Sequence, residues 1–162
     1  EVTRAAYRAF ARQTGSTAPP AWSDTPNASD ALPATSIAWV DARRYCGWAQ
    51  GRLPSEPEWE RAAAGTYGRM YPWGNSFQPE LIAGGAALAP VGSYPDGASE
   101  TGVLDLIGNA PEWVEPPPGE APFLKGGGVA GFANRESQMV FTRTAPDSAA
   151  WSPGPGFRCA YD

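Results

Sequence analysis

Helical periodicity stops at Gly65, well before the middle of this 162-residue chain. Ahead of it, three segments carry apolar residues at helical spacing. Ala6, Tyr7, Phe10 and Ala11 form a stripe between Thr3, a capping residue, and Gly15, a stop, which predicts a helix from Thr3 to about Gln13. Ala42, Tyr45, Cys46 and Ala49 repeat the pattern from about Asp41 to Gln50 and turn Cys46 toward the core. Ser55-Glu56-Pro57-Glu58 reads as a capping box that opens a third helix, ending at Gly65. Residues 16–35 read as a long loop pinned by Trp22, followed by a short strand from Thr35 to Trp39. Behind Gly65 only short apolar or aromatic pieces remain between Gly, Pro and Asp turns: Val91–Tyr94, Trp113–Val114, Phe123–Lys125, Met139–Arg143 and Phe157–Tyr161. Helices first and short twisted antiparallel strands after them predict a loop-rich α+β domain.

The turn formers are abundant, 19 glycines and 18 prolines, yet 7 Trp, 6 Tyr and 6 Phe supply the apolar area that a disordered chain lacks. The length suits a single domain over residues 1–162. Without histidine there is no Ser-His-Asp triad, no Cys-His dyad and no imidazole metal site. Two cysteines cannot build a four-thiolate zinc site. A net charge of -5 and a single lysine, Lys125, argue against nucleic acid as a partner. No apolar run is long enough to span a bilayer. Arg4, Arg8 and Arg12 share one helix face at i, i+4 spacing; the plain reading is a solvated face, and anion binding is the alternative.

A colinear series of motifs adds to this reading. Trp39-Val-Asp-Ala-Arg-Arg-Tyr-Cys-Gly-Trp-Ala49 is followed by Gly51-Arg-Leu-Pro-Ser-Glu-Pro-Glu-Trp-Glu-Arg-Ala-Ala-Ala-Gly65 and Tyr71-Pro-Trp-Gly-Asn75. Then come Pro90-Val-Gly-Ser-Tyr-Pro95, Gly102-Val-Leu-Asp-Leu-Ile-Gly-Asn-Ala-Pro-Glu-Trp113, Leu124-Lys-Gly-Gly-Gly128, Pro146-Asp-Ser148 and Gly156-Phe-Arg-Cys159. This series resembles the formylglycine-generating enzyme family, the sulfatase-modifying factors, along nearly the whole chain. The resemblance implies a loop-rich variant of the C-type lectin fold. It also implies a strand and a glycine-rich segment ahead of Val2-Thr3, which the 162 residues do not include and which another polypeptide could supply.

The family's enzymes oxidise a substrate cysteine with two copper-binding cysteines placed shortly after the segment that matches Gly126-Gly127-Gly128. Here Val129 to Phe141 contains no cysteine, so no catalytic residue and no copper are expected. The two cysteines have a bland reading, a reduced and buried pair. The resemblance instead implies a Cys46–Cys159 disulfide and an oxidising, extracytoplasmic location, periplasmic or secreted. It further implies one structural calcium, held by the side chains of Asp105 and Glu112 and the carbonyls of Gly108 and Ala110, hard oxygen ligands of the kind calcium takes. Trp48, Trp59, Trp73 and Trp113 lie inside scaffold motifs and are read as core rather than as a sugar platform.

On the face where the family's active site would lie, Phe132, Asn134, Arg135, Glu136, Gln138 and Trp151 form the expected contact surface for a protein partner or a small ligand. The function expected is therefore a non-catalytic binding or scaffolding domain, free or as a subunit of a larger extracytoplasmic assembly, reaching a membrane surface only through partners. The alternatives are a formylglycine-generating oxidoreductase that activates sulfatases, or a ligand-binding protein diversified by a retroelement in this same segment.

Overall fold

Thr3 begins the first helix as its spacing predicts. Its Oγ1 accepts from the amide of Ala6, α1 runs Arg4–Thr14, and Gly15 turns left-handed at φ 71° to end it. The computed structural model describes residues 1–22, 30–84, 87–129, 135–146 and 154–162. Among these, two further α-helices follow, α2 over Trp39–Trp48 and α3 over Glu56–Ala64. At the start of α3, the Ser55 amide donates to Glu58 Oε2 at 2.8 Å, and Pro57 occupies the first turn, where a missing N–H costs nothing.

The expected strand at Thr35–Trp39 does not form. Ser36 sits at φ 59°, which breaks an extended run, and the chain enters α2 directly at Trp39. Val91–Tyr94 and Met139–Arg143 are not strands either. Each makes one long-range amide bond, Val91 to the Ala31 carbonyl and Val140 to that of Met70. No ladder follows, because Ser93 turns back to the Pro90 carbonyl and Thr142 to that of Met139; a short 3-10 turn covers Arg135–Gln138.

Three of the predicted pieces do pair. The strands β1 (Glu112–Trp113), β2 (Leu124–Lys125) and β3 (Gly156–Phe157) form a sheet in the order β2-β1-β3. β1 and β2 are antiparallel, with Trp113 opposite Leu124, but β1 and β3 run parallel, with Trp113 beside Phe157. The sheet is thus mixed rather than antiparallel, because β3 returns by a long connection instead of a hairpin.

Successive residues of β1 and its exit point into different cores. Trp113 joins Tyr7, Phe10, Trp22, Tyr45, Cys46 and Phe157, whereas Val114 joins Trp59, Leu106, Phe123 and Val140. Tyr7 is the centre of the first: its ring stacks on Tyr45 at 5.8 Å and meets the edges of Trp22 and Phe157. Trp59 and Trp113 are buried, as their motifs suggest, and Trp48 and Trp73 are packed against the cores from their margins. Cys46 and Cys159 form a disulfide, with Cα atoms 5.5 Å apart, that ties α2 to the segment following β3 across 113 residues of sequence. In the chain-entropy account, closing such a loop removes on the order of 4 kcal/mol of unfolded-state freedom.

Candidate functional site

Two regions carry the polar groups singled out by sequence. The first is the turn from Leu104 to Glu112. Asp105, Gly108 and Asn109 all have positive φ, 54°, 83° and 51°, so the chain is wound tightly there. Glu112 leaves the turn at the start of β1 and is fully buried.

Arg158, one residue past β3, meets it. Its Nε and Nη2 donate to the two Glu112 oxygens at 2.7 and 2.8 Å, a forked pair. Nη2 also donates to the carbonyls of Leu104 and Asp105, at 3.0 and 2.9 Å. Trp59 Nε1 adds a third bond to Glu112, at 2.7 Å. A carboxylate offers about four lone-pair sites, so three are used here and one remains, on Oε1.

Asp105 accepts from the Gly92 amide at 2.7 Å. Glu1 reaches into the same turn, accepting from Asn109 Nδ2 at 2.7 Å and from the Ala110 amide at 3.2 Å. Burial pushes the Glu1 carboxyl up to about 8; its own α-ammonium, and then Arg158, pull it down, while the charges of Glu112 and Asp105 push it up. Three carboxyl groups therefore share two cations, the Arg158 guanidinium and the Glu1 α-ammonium, which leaves one negative charge in surplus when all are ionised.

The four residues expected to hold calcium do lie in this one turn. Their donors are hard oxygens, and the surplus charge has the right sign, so the set fits a divalent cation in kind. Glu112 differs from the expectation in being shared, since most of its capacity is spent on Arg158 and Trp59. Among the described residues, no cluster of three or more His, Cys, Asp or Glu side chains is arranged around a metal position.

The second region is the expected contact face. Phe132, Asn134 and Trp151 lie outside the described residues. Arg135 and Glu136 are exposed, and the Arg135 guanidinium lies 5.6 Å from the centre of the Phe77 ring. Gln138 is a correction to the expected surface. It is fully buried, its Nε2 donates to the Gly128 carbonyl, and it packs on Gly127 so closely that a Cβ there would come within 2.5 Å. The 3-10 turn over Arg135–Gln138 turns this side chain inward, so it supports the Gly-Gly-Gly segment rather than facing a partner.

Of the exposed large apolar side chains, Met70 and Phe141, 47% and 51% exposed, are two that the sequence does not single out. The Val140 amide donates to the Met70 carbonyl, so they stand on neighbouring segments. Their sequence signal is faint: a Met just ahead of the Tyr71-Pro-Trp-Gly motif and a Phe within a segment of strand character. No thiol is available on this face, because residues 129–141 contain none and both cysteines of the chain are spent in the disulfide.

A loop-rich α+β domain, cross-linked between α2 and the end of β3 and built on two cores around a short mixed sheet, is the scaffold class that the motif series implied. The chain belongs to the sulfatase-modifying factor enzyme 1-like domain family, whose match runs over residues 1–162. It is 38% identical over 154 residues to the inactive C-alpha-formylglycine-generating enzyme 2 of Mus musculus, covering 80% of this chain and 49% of that protein. It is 30% identical over 168 residues to the formylglycine-generating enzyme of Bos taurus, covering 80% of this chain and 44% of that one. The chain thus spans about half the length of these curated relatives. In solved structures the same fold appears in Treponema denticola variable protein 1, with a TM-score of 0.74 at 17% identity over 98% of this chain and 81% of that one.

Proposed function

We propose that this domain works by binding and scaffolding, and does not generate formylglycine. One observation carries the reading: the chemistry needs a thiolate to hold soft Cu(I) and engage the substrate thiol, and this chain has none to offer. Cys46 is buried in the first core and bonded to Cys159. The likeness to relatives named inactive supports the same view. Arg135, Glu136 and the exposed Met70 and Phe141 supply the mixed polar and apolar character of a contact surface, to which the sequence adds Phe132, Asn134 and Trp151. The disulfide favours an oxidising, extracytoplasmic setting, and among the described residues no helix is long and apolar enough to cross a membrane. A role as a subunit of a larger assembly fits that setting. The test is direct: protein supplied with Cu(I), oxygen and a sulfatase-type cysteine peptide should leave the peptide thiol intact, and aldehyde formation would overturn the proposal.

One structural calcium, bound by Asp105, Glu112 and the carbonyls of Gly108 and Ala110, is the second part of the proposal. The three carboxyls, one more than the two cations beside them, support it, because a cation there would relieve the surplus while Arg158 keeps its bonds to Glu112. A ligand bound only by the native state adds its binding energy to folding. Chelation should therefore lower the melting temperature of the native protein but not of Asp105→Ala. Melting curves unchanged by chelator would remove calcium from the account and leave a proton on Glu1 as the neutralising charge.

A further inference from the structure

Arg4, Arg8 and Arg12 share one face of α1, but their surroundings differ. Arg4, at the first position of α1, is only 7% exposed. Its guanidinium lies 5.4 Å from the centre of the Trp22 ring, and that of Arg8 lies 5.9 Å from the same ring. Arg8 is compensated by an ion pair with Asp30. Arg4 makes no ion pair among the described residues, and its buried Nε–H has no acceptor. The indole Nε1–H of Trp22, 3% exposed, has none among the described residues either.

Both groups are obligate donors, and neither can turn itself into an acceptor for the other. The helix amides are not the missing partners' site, since the Arg4 and Ala5 amides already donate to the carbonyls of Leu32 and Asp30. What stays unmatched among the described residues is the Arg4 charge, which has no carboxylate partner, and two buried N–H groups in a single guanidinium–indole contact. Water would satisfy a donor but not the charge. A negatively charged acceptor satisfies both, and the positive end of α1 adds to its hold. Burial, and then the neighbouring Arg8, hold the Arg4 guanidinium below its ordinary range, as expected of a cation lacking a counter-charge.

We propose that Arg4, Arg8 and Trp22 form a binding site for a small oxyanion, a carboxylate or a tetrahedral sulfate or phosphate group. The site is independent of the acid turn and of the contact face. It also distinguishes Arg4 from Arg12, whose position in the last turn of α1 opposes the C-terminal end of the dipole, the usual placement of a surface arginine.

The experiment uses the 162-residue protein labelled with 15N and titrated separately with sulfate, phosphate and acetate, at ionic strength held constant with chloride. The Trp22 indole N–H, assigned by its loss in Trp22→Phe, and the Arg4 Nε–H should shift together and saturate. Saturation by acetate identifies a carboxylate as the ligand, and saturation by sulfate or phosphate alone identifies the tetrahedral anion. Arg4→Gln should weaken binding by about tenfold or more, the loss of one charge-assisted contact. If Arg4→Gln does not fold, Arg8→Gln serves instead and should also weaken binding, because its partly exposed side chain can change without opening the core. Shifts that stay linear through all three titrations, or an affinity indifferent to both arginines, would overturn the site.

Discussion

Glu112 shows how much one residue's role depends on its partners. It lies in β1 with no exposed surface, and its charge is tolerable only because Arg158 meets both oxygens and Trp59 meets one. Removing that charge strands the arginine. Glu112→Gln should cost about 3–5 kcal/mol of stability in denaturant unfolding, the usual penalty for breaking a buried pair from one side. A loss well under that range would mean that Asp105 or Glu1 had taken over as the counter-charge. Lys125, the chain's only lysine, obeys the same rule. Its side chain is fully buried in β2, yet Nζ reaches Glu60 at 2.7 Å and Glu56 at 3.3 Å while lying over Trp59.

Among the elements, α3 does the most to connect the halves of the chain. Glu56 and Glu60, one turn apart, receive Lys125 from β2, and Glu56 also receives Arg143. At the helix start, Arg52 closes on Glu58 with two bonds of 2.7 Å and on Asp162 with one of 2.8 Å, joining the cap to the end of the 162 residues. These bonds from Arg52, and then those from the Ser55 amide and hydroxyl, hold Glu58 down to about 2, against an ordinary 4.5. A carboxyl depressed in the folded state contributes stability above its unfolded value and loses it as pH falls. Wild-type stability should therefore drop between about pH 4.5 and 2, and Glu58→Gln should remove part of that slope. The share will be small, because Glu58 is 44% exposed and water screens the pair. An identical acid slope in the variant would show that the cap bonds are not kept in solution.

For the whole molecule, the disulfide is the long-range constraint that most other contacts assume. It joins α2 to the segment carrying Arg158, and Arg52 and Ala160 bridge beside it through two backbone bonds of 3.0 and 2.8 Å. Thiol titration of denatured, unreduced protein should find no free cysteine, and reduction should lower stability by on the order of 4 kcal/mol. Two free thiols in protein taken from its native compartment would count against the bridge and against an extracytoplasmic setting.

The helices were legible in the sequence because their signals are local. Thr3, Ser55 and Glu58, Gly15 and Gly65 act within a turn or two of themselves, and the apolar stripes of α1 and α2 repeat at i, i+3 and i+4. That residues 129–141 hold no cysteine was equally legible, since it needs no geometry; that Cys46 and Cys159 are bonded to each other was decided by the fold. What only the tertiary structure decided depends on pairs far apart in sequence. β3 lies parallel to β1 because the chain crosses from Trp113 to Phe157 before pairing, and no local pattern encodes that direction. Gln138 faces inward because Gly127 leaves it room, Arg158 and Glu112 meet across 46 residues, and Arg4 loses its solvent only when Trp22 folds over it. Side-chain type was visible in each case; burial was not, because burial belongs to the neighbours that the whole fold brings together.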